Sequence, residues 1–255
     1  MNILRIIKEL YTGKNNFIAK LGLFGLIGIM AISFNEIVSA FTGYTLYAIF
    51  SMPSDKEIIF FSMLGIMIFI YFTGYIYQFV HESFENEQTR LSSISMNCFT
   101  TFLKMLPVMF VWGIYLGLIF FVSYTLFYIN KLEFWVFLIF IIAILPFINM
   151  VFLIFAKDFK YEYKLFSPII LVSIIKKYFV KVFIFLIQFV IIGALLSTVS
   201  AFLFKYSFSW QTRHMQLLYI LLLLCISSYF QQVLNLAYYK GLTDILKRTD
   251  NYVKK

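Results

Sequence analysis

Charge is scarce in this chain: Asp, Glu, Lys and Arg together make up 13% of its 255 residues. An average soluble domain carries about a quarter, because a water-facing surface needs polar groups to break up its apolar patches. With 62% of the residues hydrophobic, a soluble globular fold is excluded and the bilayer is the expected solvent. Cysteine is nearly absent. Cys98 and Cys225 lie in separate segments, which rules out a disulfide framework or a cysteine metal cluster and leaves both as packing residues. Histidine is equally rare. His81-Glu82-x-x-Glu85 has the first half of a zinc-protease helix motif but no second histidine, and His214 is expected across the membrane from it. No metal is therefore expected, and His81, Glu82, Glu85 and Glu87 are expected to form a solvated acidic helix end. There is no phosphate-binding loop, no glycine-rich dinucleotide turn and no serine–histidine–aspartate set that can be placed on one face. No catalytic residues and no cofactor follow from this sequence.

What the chain has instead is long apolar runs. A spanning helix needs about 20 mostly apolar residues, and six stretches qualify: 21–48, 58–80, 105–127, 134–156, 182–204 and 215–239. The connections 51–57, 130–133 and 205–214 are short and join helices into antiparallel hairpins. The expected fold is an all-α integral membrane protein with six transmembrane helices arranged as three hairpins. It is a single membrane domain over 1–255, with repeat units at about 1–80, 90–156 and 167–239 and a cytoplasmic tail at 240–255.

Orientation follows from the basic residues. The formal net charge is +9, but the lysines and arginines sit at the ends of apolar runs rather than in one patch, so nucleic acid is not an expected partner. All of the 21 except Lys56, Lys131, Lys205 and Arg213 fall on one side of the proposed crossings. The positive-inside rule puts that side, and both termini, in the cytoplasm. The expected location is the cytoplasmic (inner) membrane of a bacterium. Arg5, Lys8, Lys14 and Lys20 precede the first run, and Val38-Ser39-Ala40 faintly resembles a cleavage site. The basic region is too long and too amphipathic for a signal peptide, and retention is expected.

Each hairpin is preceded by an amphipathic piece. In 91–106, Leu91, Ile94, Cys98, Phe102 and Met105 share one helical face, while Ser93, Asn97, Thr100 and Lys104 occupy the other. In 168–181, Ser173, Lys176, Lys177 and Lys181 form the polar face, with Ser167 as N-cap and Pro168 at the first helical position. The segment 1–20 repeats this grammar more loosely. The expected role is an interfacial helix, with Lys176, Lys177 and Lys181 contacting lipid headgroups. The alternative is that each piece is the cytoplasmic end of a tilted span.

Small residues mark expected helix contacts, since they let backbones approach. Gly113-x-x-x-Gly117 lies in the third run, Gly193, Ser197 and Ala201 in the fifth, and Gly22, Gly25 and Gly28 in the first. These small faces are expected to meet at the centre. Pro107 sits in a first turn and is tolerated, whereas Pro146 lies deep in the fourth run and is expected to kink it. Glu36, beside Asn35, is the one acidic residue inside an apolar run. A mid-bilayer carboxylate costs roughly 2.5–3.5 kcal/mol on insertion scales, so it points either to a proton, cation or polar-substrate site or to a first span ending near residue 37. Asn149, Gln188, Gln231, Gln232 and Asn235 are the other polar candidates at depth. Interhelical hydrogen bonds are their simplest use, and Asn149 is also placed to satisfy a carbonyl freed at Pro146.

One further pattern carries a resemblance. Glu87-Gln88-Thr89-Arg90, Leu145-Pro146, Ile154-Phe155-Ala156-Lys157-Asp158 and the Ser-x-x-Lys-Lys-Tyr-Phe run from Ser173 to Phe179 resemble the YciC-like group of uncharacterised bacterial inner-membrane proteins, over about 86–201. The chain departs from that group in being richer in Phe, Ile and Tyr, and in lacking glycine-proline richness around the fourth run. The resemblance implies a six-helix cytoplasmic-membrane protein and no established catalytic residues. The expected function is a non-catalytic membrane protein that assembles with protein partners or copies of itself, or organises lipid. The alternative is a transporter or ABC-type permease subunit with Glu36 in or near the pathway.

Overall fold

The computed structural model describes residues 3–12, 20, 25, 55–85, 91, 95–129, 134–207 and 213–253. Asn35, Glu36 and Gly22, and with them almost all of the expected first span, lie outside the described residues. Among those described, secondary structure is entirely helical: α1 (Ile3–Thr12), α2 (Asp55–Glu85), α3 (Met96–Ile129), α4 (Phe134–Asp158), a 3-10 turn (Tyr163–Phe166), α5 (Pro168–Ser207) and α6 (Arg213–Val253). Three helical stretches are long and apolar enough to cross a membrane: Ser62–Glu85, Met96–Val122 and Pro168–Leu203.

The helices are packed mainly toward one end. Buried side chains of α2 begin at Ile68, those of α3 stop at Trp112, and those of α5 fall between Ile174 and Phe185. The complementary halves carry exposed large apolar residues, from Ile59 to Phe69 on α2, Phe110 to Val122 on α3 and Ile187 to Leu203 on α5. In water such surfaces would be a liability. Against lipid tails they cost nothing, because the tails are as apolar as the side chains.

At the packed end, α2 lies on α3, α4 and α6, α4 lies on α3 and α5, and α5 lies on α6. Helix α1 joins this end through Ile3, Ile6 and Leu10, three to four residues apart on one face. It rests on α6, so much of its apolar face is covered by protein, while Leu4 and Arg5 face outward. Residues 240–247, expected at the start of a tail, continue α6 without a break and include the fully buried Leu242. The chain's first and last helices therefore pack together.

The amphipathic pieces also differ from the expectation. Residue 91 is not helical, and α3 starts at Met96. Both α3 and α5 then run on as single helices of 34 and 40 residues, and among the described residues no separate interfacial helix precedes either apolar run. The start of α5 does follow the sequence: Ser167 Oγ accepts the Ile169 N–H at 3.3 Å, with Pro168 opening the helix.

Candidate functional site: a polar joint at the packed end

Helices α2 and α3 approach closely at Gly74. A Cβ built on Gly74 would lie 1.8 Å from the Cys98 carbonyl oxygen and 2.7 Å from its carbon, so only glycine fits. Around it, the Tyr71 hydroxyl donates to Met96 Sδ at 3.0 Å, and Cys98 Sγ donates to Gln78 Oε1 at 3.3 Å. Tyr71 and Gln78 are two turns apart on α2, yet both reach the first turn of α3. The helices therefore meet and cross at Gly74. Gln78 in turn donates to Glu82 at 3.0 Å.

One turn further along α2, His81 closes the end of α4. Its Nδ1 lies 3.1 Å from the Ala156 carbonyl and 2.9 Å from the Lys157 carbonyl, so this nitrogen carries its proton and donates. The last carbonyls of a helix have no intrahelical partner, and a histidine from a neighbouring helix supplies one. The other ring nitrogen sits 3.7 Å from Glu85. Of the acidic helix end expected to be solvated, His81 and Glu82 are half-buried, Glu85 is exposed as expected, and Glu87 lies outside the described residues. Phe159 then ends α4 at φ 49°, with its N–H bonded to the Phe155 carbonyl at 2.8 Å. A left-handed phenylalanine is uncommon. Its ring is gripped by His81 at 5.0 Å and Phe155 at 5.8 Å, with Lys104 Nζ 5.2 Å above its centroid.

The connection that follows is held down by α3. The Tyr161 hydroxyl donates to the Lys104 carbonyl at 2.8 Å, Trp112 Nε1 to the Leu165 carbonyl at 2.8 Å, and the Tyr115 hydroxyl to the Phe166 carbonyl at 3.0 Å. Buried carbonyls of a non-regular segment need such donors. Over this stretch α3 passes α2, then the end of α4, then the 3-10 turn. On α6, Lys247 Nζ donates to the Ser83 carbonyl and stacks over Phe84. Lys240, only 4% exposed, pairs with Asp244 at 3.1 Å.

No family model matches the chain, and no curated protein or solved structure matches it either. Function has to be read from this geometry. Among the described residues, no group of three or more His, Cys, Asp or Glu side chains is placed to hold a metal.

The expected site residues are scattered rather than gathered. Asn149 Nδ2 donates to the Tyr238 hydroxyl at 3.3 Å, tying α4 to α6; this replaces the expected bond to a carbonyl freed at Pro146. Asn235 Nδ2 bonds Gln232 Oε1 at 2.8 Å within α6. Gln231 is exposed and Gln188 half-buried, on different helices. Lys176, Lys177 and Lys181 are all exposed on α5. Among the described residues the expected meeting of small faces is not seen, and Gly22 and Gly28 lie outside them. Gly113, Gly117 and Gly25 have no atom within 4 Å of an added Cβ, Gly193 meets only Leu234 at 3.7 Å, and Ser197 is exposed. The tight contact instead uses Gly74, which has no small partner at four-residue spacing to advertise it. Trp112, Tyr115 and Phe159 carried no motif at all, and the half-motif around His81 gave no sign of a helix cap. The one available hint was that Trp and Tyr favour positions with an apolar body and a polar tip.

Proposed function

We propose that this chain is a non-catalytic, multi-pass protein of a bacterial cytoplasmic membrane that serves as an assembly or lipid-organising subunit. The observation that carries this reading is how the polar groups are used. His81, Trp112, Tyr115, Tyr161, Asn149 and Lys247 are each spent on tying one helix to another or to the connection between them. The same arrangement leaves long apolar helix faces turned outward at the other end. A rigid joint with lipid-facing arms suits a scaffold, whereas catalysis would need titratable groups converging on an open space.

In this reading the lysine-rich packed end faces the cytoplasm, and six crossings bring the chain back to its starting side. The contact of α1 with α6 supports an even count. The resemblance to YciC-like proteins supports the same architecture. Glu36, on which the permease alternative rests, lies outside the described residues. Affinity purification of the tagged full chain in mild detergent is the test. Stoichiometric recovery of a membrane partner or a stable homo-oligomer is expected. A monomer that moves a solute across proteoliposomes, and loses that activity in Glu36→Gln, would overturn the proposal.

A further inference from the structure

The connection between α4 and α5 is pinned through the Leu165 and Phe166 carbonyls and the Tyr161 hydroxyl, while most of its other side chains turn outward. Trp112, Tyr115 and Tyr161 provide the pins. Tyr163 is 80% exposed, and Lys157, Lys160 and Lys164 are exposed around it. The first turns of α5 continue this surface with Ile169, 73% exposed, and Val172, followed by Lys176, Lys177 and Lys181. Within 157–181 the acidic residues are Asp158 and Glu162, outnumbered by the lysines.

Three physical points converge on one occupant. Tyrosine and lysine side chains each have an apolar body and a polar tip, the distribution that suits the headgroup layer. A segment already ordered by hydrogen bonds loses little further freedom on docking. Helix α5 has 40 residues, about 60 Å of helix, roughly twice the thickness of a bilayer's hydrocarbon core. About half of it must therefore lie outside that core, and the charges of Lys176, Lys177 and Lys181 favour its first half as the part that leaves; the excess of lysines there complements anionic phosphate.

We infer that 157–181 is a binding surface for anionic phospholipid headgroups. The inference rests on the membrane reading above and names the ligand class of its lysine-rich end. The test uses the full chain reconstituted in phosphatidylcholine vesicles containing about one-fifth phosphatidylglycerol. The protein is re-extracted in mild detergent, and the lipid retained per protein is measured by mass spectrometry. Phosphatidylglycerol is expected to be enriched over the vesicle ratio. The enrichment should fall about fivefold per lysine in Lys160→Gln and Lys164→Gln, hold in the matching Arg variants, and drop in Tyr163→Ala. These side chains are exposed, so the variants should keep the parent melting temperature. A wild-type lipid ratio equal to the vesicle's, or Gln variants that keep the enrichment, overturns the inference. So does co-purification of an acidic protein without phosphatidylglycerol enrichment. A chain stripped from vesicles by alkaline carbonate overturns the membrane reading itself, which separates the two failures.

Discussion

Replacing Gly74 with alanine sets two opposed effects against each other. In an exposed helix the change stabilises by up to about 1 kcal/mol, because glycine loses more backbone entropy. Here the new methyl carbon would sit 1.8 Å from the Cys98 carbonyl oxygen, against an ordinary carbon–oxygen contact of roughly 3.3 Å or more. The obstacle is backbone inside α3, so no rotamer change can relieve it. The helices must separate locally by about 1.5 Å, and a gap of even 0.5–1 Å forfeits roughly a quarter to a half of each dispersion contact. Phe72, Tyr75 and Cys98, all buried beside the crossing, would loosen together. Overpacking of this kind costs about 3 kcal/mol, so a net loss of about 2 kcal/mol is expected. Thermal unfolding of the detergent-solubilised chain, followed by size-exclusion chromatography after heating, reads this out. Gly113→Ala and Gly117→Ala are internal controls, since an added Cβ meets nothing within 4 Å there; both should be neutral or slightly stabilising. A Gly74→Ala chain as stable as its parent, or a Gly113→Ala chain that falls with it, would refute the crossing geometry.

The remaining predictions concern the joint. Trp112→Phe keeps the ring but removes the donor to the Leu165 carbonyl, at about 1–2 kcal/mol; trypsin should then cut faster at Lys160 and Lys164. His81→Ala uncovers the Ala156 and Lys157 carbonyls and should cost about 1–3 kcal/mol in thermal stability, with hydrogen exchange rising first in the last turn of α4. Asp244→Asn leaves the buried Lys240 ammonium without its counter-charge, and a loss of about 2–3 kcal/mol is expected; an unchanged melting temperature would show that the pair is not formed. Asn149→Leu should cost under about 1 kcal/mol, the usual scale for polar contacts between membrane helices, and a large drop would give this contact a weight the geometry does not support.

Much of the architecture is written in the chain itself. Low charge and long apolar runs dictate helices, because a backbone surrounded by lipid has to satisfy its hydrogen bonds within one segment. The N-cap at Ser167 was equally legible, since it depends on residues two positions apart. The starts of the helices and the partners of the small residues were not. Periodicity marks which face of a helix is apolar, yet at 62% hydrophobic composition nearly every face qualifies, so the pattern no longer says which face meets protein and which meets lipid. That is why Gly113 and Gly117 drew attention ahead of Gly74.

Composition and local pattern thus determined the helical class and the presence of helices long and apolar enough to cross a bilayer, because both follow from how single residues partition between water and lipid. Tertiary structure alone decided that α2 crosses α3 at Gly74, that His81 caps α4 75 residues further along the chain, and that α1 seats on α6. Those contacts join segments far apart in sequence, and their energy comes from the fit between two surfaces, which no window along one strand of sequence contains.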